Sequence, residues 1–231
     1  MSTTAAAPRR PVIKWMRDRS LTLVMLGLFA IFLAGQIVTG WYEFNGEQID
    51  HGAAALTLLS YLRAGHPWEA LFENWESEFL QMTAFVTLTA ILHQKGSPES
   101  RRPGAIESVD ADPRDFAHLD DAPWPVRHGG WVLRVYEHSL GLALFGLFLI
   151  SWIGHVIGGW AAYRHTQQLH HSSPATLVDY ITSSQFWFES FQNWQSEFLS
   201  VAAMVWLAVY LRQRGSPESK PVHAAHSETG R

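Results

Sequence analysis

The chain has 231 residues, 17 Lys and Arg against 21 Asp and Glu, and no cysteine. Disulfides and thiolate metal centres are therefore excluded. A formal charge of −4 leaves no electrostatic footprint for nucleic acid. The apolar residues are not spread evenly but gathered into four runs between very polar loops.

Residues 1–16 read as a disordered, basic N-terminus. A basic stretch before an apolar run also begins a signal peptide. Here the run is longer than the usual apolar region, and no small-residue cleavage site follows it. It reads as a retained helix. Leu21–Trp41 is 21 residues long and carries no charge, which exceeds the ~18 residues that mark a membrane span. An outer loop follows, with a short interfacial helix expected over Ala53–Arg63. The next apolar run, Phe79–Leu92, covers only roughly 21 Å at ~1.5 Å per residue, short of a ~30 Å hydrocarbon core. It crosses only if the helix extends backwards, so one continuous helix is expected from about Pro67 to His93, with a span at about 72–93. Gly96-Ser97-Pro98 ends it, because glycine accepts the left-handed cap and proline cannot continue a helix.

The rest of the chain repeats this plan 119 positions later. FENWESEFL at 72–80 returns as FQNWQSEFL at 191–199, and GSPES at 96–100 returns at 215–219. Laying 17–101 on 136–220 gives about 33 identities. Residues 102–135 are an acidic, Pro-rich linker, read as a flexible cytoplasmic tether. The second copy has spans at about 140–160 and 191–212, a loop helix expected over Pro174–Ser183, and a continuous helix from Phe186 to Arg212. Residues 221–231 form a polar tail. Helix 140–160 carries Gly154 and Gly158, a GxxxG pair that admits close helix approach.

All Lys and Arg except Arg63 and Arg164 lie before Leu21, between Leu92 and Leu140, or after Leu211. The positive-inside rule places both termini and the linker in the cytoplasm. Two spans per copy is an even number, so both copies insert the same way up. The expected fold is an all-α integral membrane protein of four transmembrane helices. They form two parallel tandem hairpin repeats, related by a pseudo-two-fold axis along the membrane normal.

The candidate site follows from depth. Asn74, Ser77 and Glu78 share a face at the mouth of the second span, and Asn193, Ser196 and Glu197 share the equivalent face. Counting from the cytoplasmic charges, Gln36, Glu78, His155 and Glu197 fall in one layer, roughly 25 Å up in the outer half of the membrane. Polar groups at that depth turn inward and find partners. The layer is either a hydrogen-bond belt that locks the hairpins or a proton, cation or polar-ligand site. His155 with two glutamates is a metal-ligand set in type, but no ligand spacing supports it, and neither metal nor cofactor is expected. His155 alone cannot supply a two-His haem.

The doubled NWxSEF stretch, the closing GSPES and the Arg-Ser-Leu…Gly-Leu-Phe helix entry resemble an uncharacterised family of bacterial multi-pass membrane proteins, catalogued as a domain of unknown function. The resemblance covers both copies. It implies membrane location and bacterial origin and brings no activity or site residue with it. The reading is an inner-membrane protein without enzymatic chemistry, structural or partner-binding. Its constant partner is the lipid bilayer, with a protein partner or a second copy left open. The alternative is a small proton- or cation-linked transporter or channel using Glu78 and Glu197. A membrane enzyme or redox subunit stands third, since no nucleophile motif, phosphate loop or dinucleotide fingerprint appears.

Overall fold

The computed structural model describes residues 11–102, 104–170, 173 and 175–230. Residues 1–10 of the expected disordered N-terminus, and Pro174, lie outside the described residues. The described residues hold helices and no strand. In chain order they are α1 (Pro11–Asp18), α2 (Ser20–Asp50), α3 (Leu58–Tyr61), α4 (His66–Thr89), α5 (Trp124–His128), α6 (Gly130–Glu137), α7 (Ser139–Leu169), α8 (Leu177–Ile181) and α9 (Ser184–Tyr210). Two short 3-10 turns, Ser108–Asp110 and Pro113–Phe116, precede α5.

Two helices, α2 and α7, are long and apolar enough to cross a membrane, each with 31 residues. At ~1.5 Å per residue they reach roughly 46 Å. The helix through Asn74–Glu78 is unbroken: α4 has 24 residues and α9 has 27. The polar NWxSEF stretch therefore lies in the middle of each helix. Both stop slightly earlier than His93 and Arg212, before the positive-φ glycines Gly96 (φ 86°) and Gly215 (φ 87°).

The chain divides into two units, Met1–Pro67 and Trp68–Arg231. In the first, α3 folds back on the end of α2. The Trp41 indole donates to the Leu56 carbonyl at 2.7 Å, and Asn45 holds both polar groups of the Leu56 backbone. Thr57 caps α3 by accepting from the Ser60 N–H at 3.3 Å. This buries Tyr61, which lies over Gly40 and beside Phe44. A methyl group on Gly40 would stand 2.6 Å from the Tyr61 hydroxyl, so only glycine admits the ring there.

In the second unit the indole bond and the threonine cap recur 119 residues on. Trp160 donates to the Ala175 carbonyl at 3.1 Å, and Thr176 caps α8. Here the cap is a full box, with the Asp179 carboxylate reaching back to the Thr176 N–H at 2.7 Å. That box starts α8 at Leu177, so the loop helix is shorter than Pro174–Ser183, just as α3 is shorter than Ala53–Arg63. Both loops supply only one capped turn, and its purpose is to place a tyrosine. Tyr180 is fully buried and lies over Gly159.

α4 crosses α7 where the sequence pairs Gly154 with Gly158. The Phe72 ring lies over Gly154, and the backbone of Trp68 and Glu69 lies against Gly158. Residues 102–135, read as a flexible tether, contain short helices with a small apolar cluster of Ala122, Val126 and Leu133. The tail also packs. The Gly96 N–H donates to the Thr229 hydroxyl, and Arg102 Nε donates to the Thr229 carbonyl, both at 2.8 Å. The buried Lys220 ammonium donates to the carbonyls of Ala225, His226 and Glu228.

Candidate functional site

The close crossing at Gly158 decides what meets inside the second unit. Glu69, Glu73 and Glu76 stand at i, i+4 and i+7 and so share one face of α4. That face meets α7 at His155 and Gly159. The Glu76 side chain and the His155 ring are both fully buried, with Glu76 Oε2 2.9 Å from His155 Nδ1. The second oxygen, Oε1, accepts from the Trp194 indole of α9 at 3.1 Å. Glu76 therefore has two donors, one per oxygen, which is how a carboxylate is satisfied away from water.

The other ring nitrogen points toward α8 and α9. His155 Nε2 lies 3.3 Å from the Tyr180 hydroxyl and 3.6 Å from Glu189 Oε2. Tyr180 donates to Glu189 Oε2 at 3.1 Å. Burial and the nearby carboxylates of Glu189 and Glu69 push the Tyr180 phenol well above its ordinary value, so it stays a proton-bearing donor at any physiological pH. The outer oxygen of Glu189 accepts from the exposed Gln185 at 2.8 Å, and the Glu189 side chain is 19 % exposed. Phe186 closes the far face of the imidazole, 5.0 Å between ring centres, and is itself fully buried. Asn193 donates to Glu73 Oε1. The result is a chain of bonded groups, Glu76–His155–Tyr180–Glu189, closed to water at Glu76 and open to it at Glu189.

Among the described residues, Glu69 Oε1 and Ser190 Oγ are buried without a hydrogen-bond partner. Glu69 Oε1 stands beside the Tyr180 hydroxyl over Gly159. Ser190 is fully buried, four residues after Phe186 and four before Trp194, on the face of α9 that carries the site.

The residues singled out from sequence distribute as follows. His155 belongs to this chain of groups, and Asn193 donates beside it, to Glu73 Oε1. Ser77 is buried, but its hydroxyl is spent on the Asn74 carbonyl at 2.8 Å. Asn74 is exposed and bonds back to the Ala70 carbonyl, and Ser196 is exposed and bonds to that of Asn193. Glu78 and Glu197 meet each other carboxyl to carboxyl, Glu78 exposed and Glu197 half-buried, separate from His155. Gln36 is exposed on α2, in the other unit. Among the described residues no cluster of His, Asp and Glu has the convergence to hold a metal ion. Two open clefts lie well away, at the turns after α4 and α9. One, of about 210 Å³, is lined by His93, Arg101 and Arg102, and the other, of about 330 Å³, by Arg214, Lys220 and His223.

Glu76, Glu189, Tyr180, Glu69, Glu73 and Trp194 were not reached from sequence. The i, i+4, i+7 stripe of acids on α4 was the available signal. The glutamates that match between the copies, Glu78 and Glu197, lie apart from that stripe.

A family model described as "Domain of unknown function (DUF6766)" matches residues 12–231. The chain belongs to the DUF6766 family. The match spans both copies of the NWxSEF stretch and every helix from α2 onward. No curated protein and no solved structure matches the DUF6766 chain. The family description carries no activity, so the chemistry of this DUF6766 protein rests on the geometry around His155.

Proposed function

We propose that this protein is a non-enzymatic, multi-pass membrane protein, structural or partner-binding, whose buried polar network fastens α4, α7, α8 and α9 to one another. In this reading α2, α4, α7 and α9 each cross the inner membrane, both termini face the cytoplasm, and the two copies are parallel repeats. The basic residues gathered on one side of the apolar runs support that topology. The recurrence of the Trp–carbonyl bond and the threonine cap 119 residues apart supports the repeat.

One observation carries the structural role: His155 is fully buried, and both its nitrogens are engaged by groups from three other helices. Removing one partner of such a network leaves a buried polar group without compensation, which costs about 1–3 kcal/mol and more for charged groups. His155→Ala should therefore lower the melting temperature in detergent sharply, while Gln36→Ala, at the matching position of the first copy, should not. Equal melting temperatures for the two variants would refute the structural role.

A second reading, proton- or cation-linked transport, has its own support. The motif glutamates Glu78 and Glu197 stand side by side, and two adjacent carboxyls share a proton or a cation more readily than both ionise. Reconstituted protein that carries flux, lost in Glu78→Gln and Glu197→Gln with folding retained, is the result that would establish it. Absent flux in the parent protein ends it.

A further inference from the structure

Four carboxyl groups surround His155: Glu69, Glu73 and Glu76 from α4 and Glu189 from α9. Tyr180 from α8 is the remaining titratable neighbour. Among the described residues, neither Lys nor Arg takes part in a bond of the network. One imidazolium at most balances one carboxylate, so four ionised acids would leave the interior with an uncompensated charge. Buried charge of that size is not sustained; the groups take up positive equivalents instead. A metal ion is disfavoured because the oxygens do not converge. Protons meet the need, and the bond pattern says where. Glu76 has a donor on each oxygen and is the carboxylate of the set. Glu69 Oε1 has no donor, so a proton on that carboxyl removes the mismatch by turning an acceptor into a donor.

We propose that the Glu76–His155–Tyr180–Glu189 chain is a proton-binding site, loaded from water through Glu189 and closed at Glu76. It goes beyond the structural reading and does not depend on it. A proton arriving on Glu189 Oε2 passes to the Tyr180 oxygen as the Tyr180 O–H proton moves to His155 Nε2. The Glu189 O–H and the old Tyr180 O–H bonds break; a new Tyr180 O–H and an Nε2–H bond form. Glu189 returns to carboxylate, tyrosine is unchanged, and the imidazole becomes imidazolium between Glu76 and Glu189. The heavy-atom distances for this transfer, 3.1 Å and 3.3 Å, are already in place, and the Tyr180 hydroxyl first turns its proton from Glu189 Oε2 to His155 Nε2. His155 Nδ1–H remains on Glu76 throughout, and Glu69, beside the Tyr180 hydroxyl, is the second reservoir.

The test uses the full chain in detergent, with a pH indicator in weak buffer and a rapid jump from pH 10.5 to pH 7, because the carboxylates beside both ring nitrogens hold the His155 proton well into the alkaline range. His155→Gln places in the second copy the residue that position 36 has in the first. It should take up about one proton fewer per chain than the parent. Tyr180→Phe keeps the buried ring but removes the relay atom. It should reach the parent's total at least about a hundredfold more slowly, the lower end of the range by which a positioned proton donor speeds transfer. Glu189→Gln should slow uptake in the same way. Melting curves identify variants that do not fold, and fluorescence from the indole Trp194 is not needed. If His155→Gln fails to fold, the parent labelled with 15N-histidine decides: the buried ring should change between one and two bound protons across the jump. Uptake by His155→Gln equal to the parent's, uptake by Tyr180→Phe as fast as the parent's, or a His155 ring that never changes state would each overturn the proposal.

Discussion

Replacing Gly158 with alanine tests the crossing on which the site depends. The added methyl would lie 2.7 Å from the Glu69 nitrogen and 3.0 Å from the Trp68 carbonyl carbon. Both are backbone atoms of α4, which cannot rotate out of the way as a side chain can. The helices must part, and the 2.9 Å contact between Glu76 and His155, fixed three residues away along α7, must lengthen with them. Overpacking of this kind costs about 1–3 kcal/mol, and weakening a bond to a charged group costs about 1.5–3 kcal/mol. Against these stands a gain of about 1 kcal/mol from replacing glycine within a helix. The balance is a destabilisation of about 1.5–5 kcal/mol, or roughly 3–20 °C in melting temperature for a chain of this length. Gly27, with nothing within 4 Å, is the control. Gly27→Ala keeps the helical gain without the clash and should melt no lower than the parent. Thermal unfolding in one detergent, followed by circular dichroism, compares the three proteins. A Gly158→Ala variant as stable as Gly27→Ala would show that α4 and α7 do not cross there, and the description of the site would fall with it.

Four further outcomes are expected. Reporter fusions after Lys95 and at the C-terminus should read as cytoplasmic and a fusion near Gly52 as external; a cytoplasmic signal at Gly52 would remove the four-span topology. Trp194→Phe keeps an aromatic side chain, though a smaller one, but takes the donor from buried Glu76 Oε1, and should cost about 1–3 kcal/mol in detergent melts, whereas Trp187→Phe, on the exposed side of α9, should cost far less. Thr176→Ala removes the cap that seats Tyr180 and should cost about 0.5–2 kcal/mol; no loss on melting would mean α8 is held by other contacts. The same cap has a pH signature: the Thr176 hydroxyl and backbone N–H hold the Asp179 carboxyl below its ordinary 3.8, so its contribution is full above that pH and fades as pH falls below it. A parent-minus-Asp179→Asn difference in melting temperature that stays constant from pH 7 to pH 3 would contradict this.

The apolar runs and the caps were legible in the chain because they depend on neighbours in sequence. Leu21–Trp41 and Leu140–Trp160 are long and uncharged, and no packing is needed to say that they form helices able to cross a membrane. The unbroken course of α4 and α9 through NWxSEF followed from length alone. Gly154 and Gly158 were visible as a pair suited to close approach, though not which helix would approach. The linker was read as a tether because its composition is polar, yet local bonds such as the Glu107–Asp110 reciprocal cap turn parts of it into short helices.

His155 could be chosen from sequence because a titratable group inside an apolar run has to be accounted for. Its partners could not, since they come from α4, α8 and α9 and are related only by the crossing. The sequence comparison drew attention to glutamates that match between the two copies, and these pair with each other. The histidine and acids of the site stand instead where the copies differ, while Tyr180 and Trp194 match Tyr61 and Trp75. His155 faces Gln36 in the alignment, Glu76 faces Gln195, Glu189 faces Ala70, Glu73 faces Gln192 and Glu69 faces Phe188. A shared motif records what each copy needs in order to fold, and that much the chain declares by itself. A charged network needs one histidine and an unequal set of acids brought to one point. Which of the unmatched residues meet is set by a glycine on α7 small enough to let the backbone of α4 through, and by a capped turn that lays Tyr180 between them.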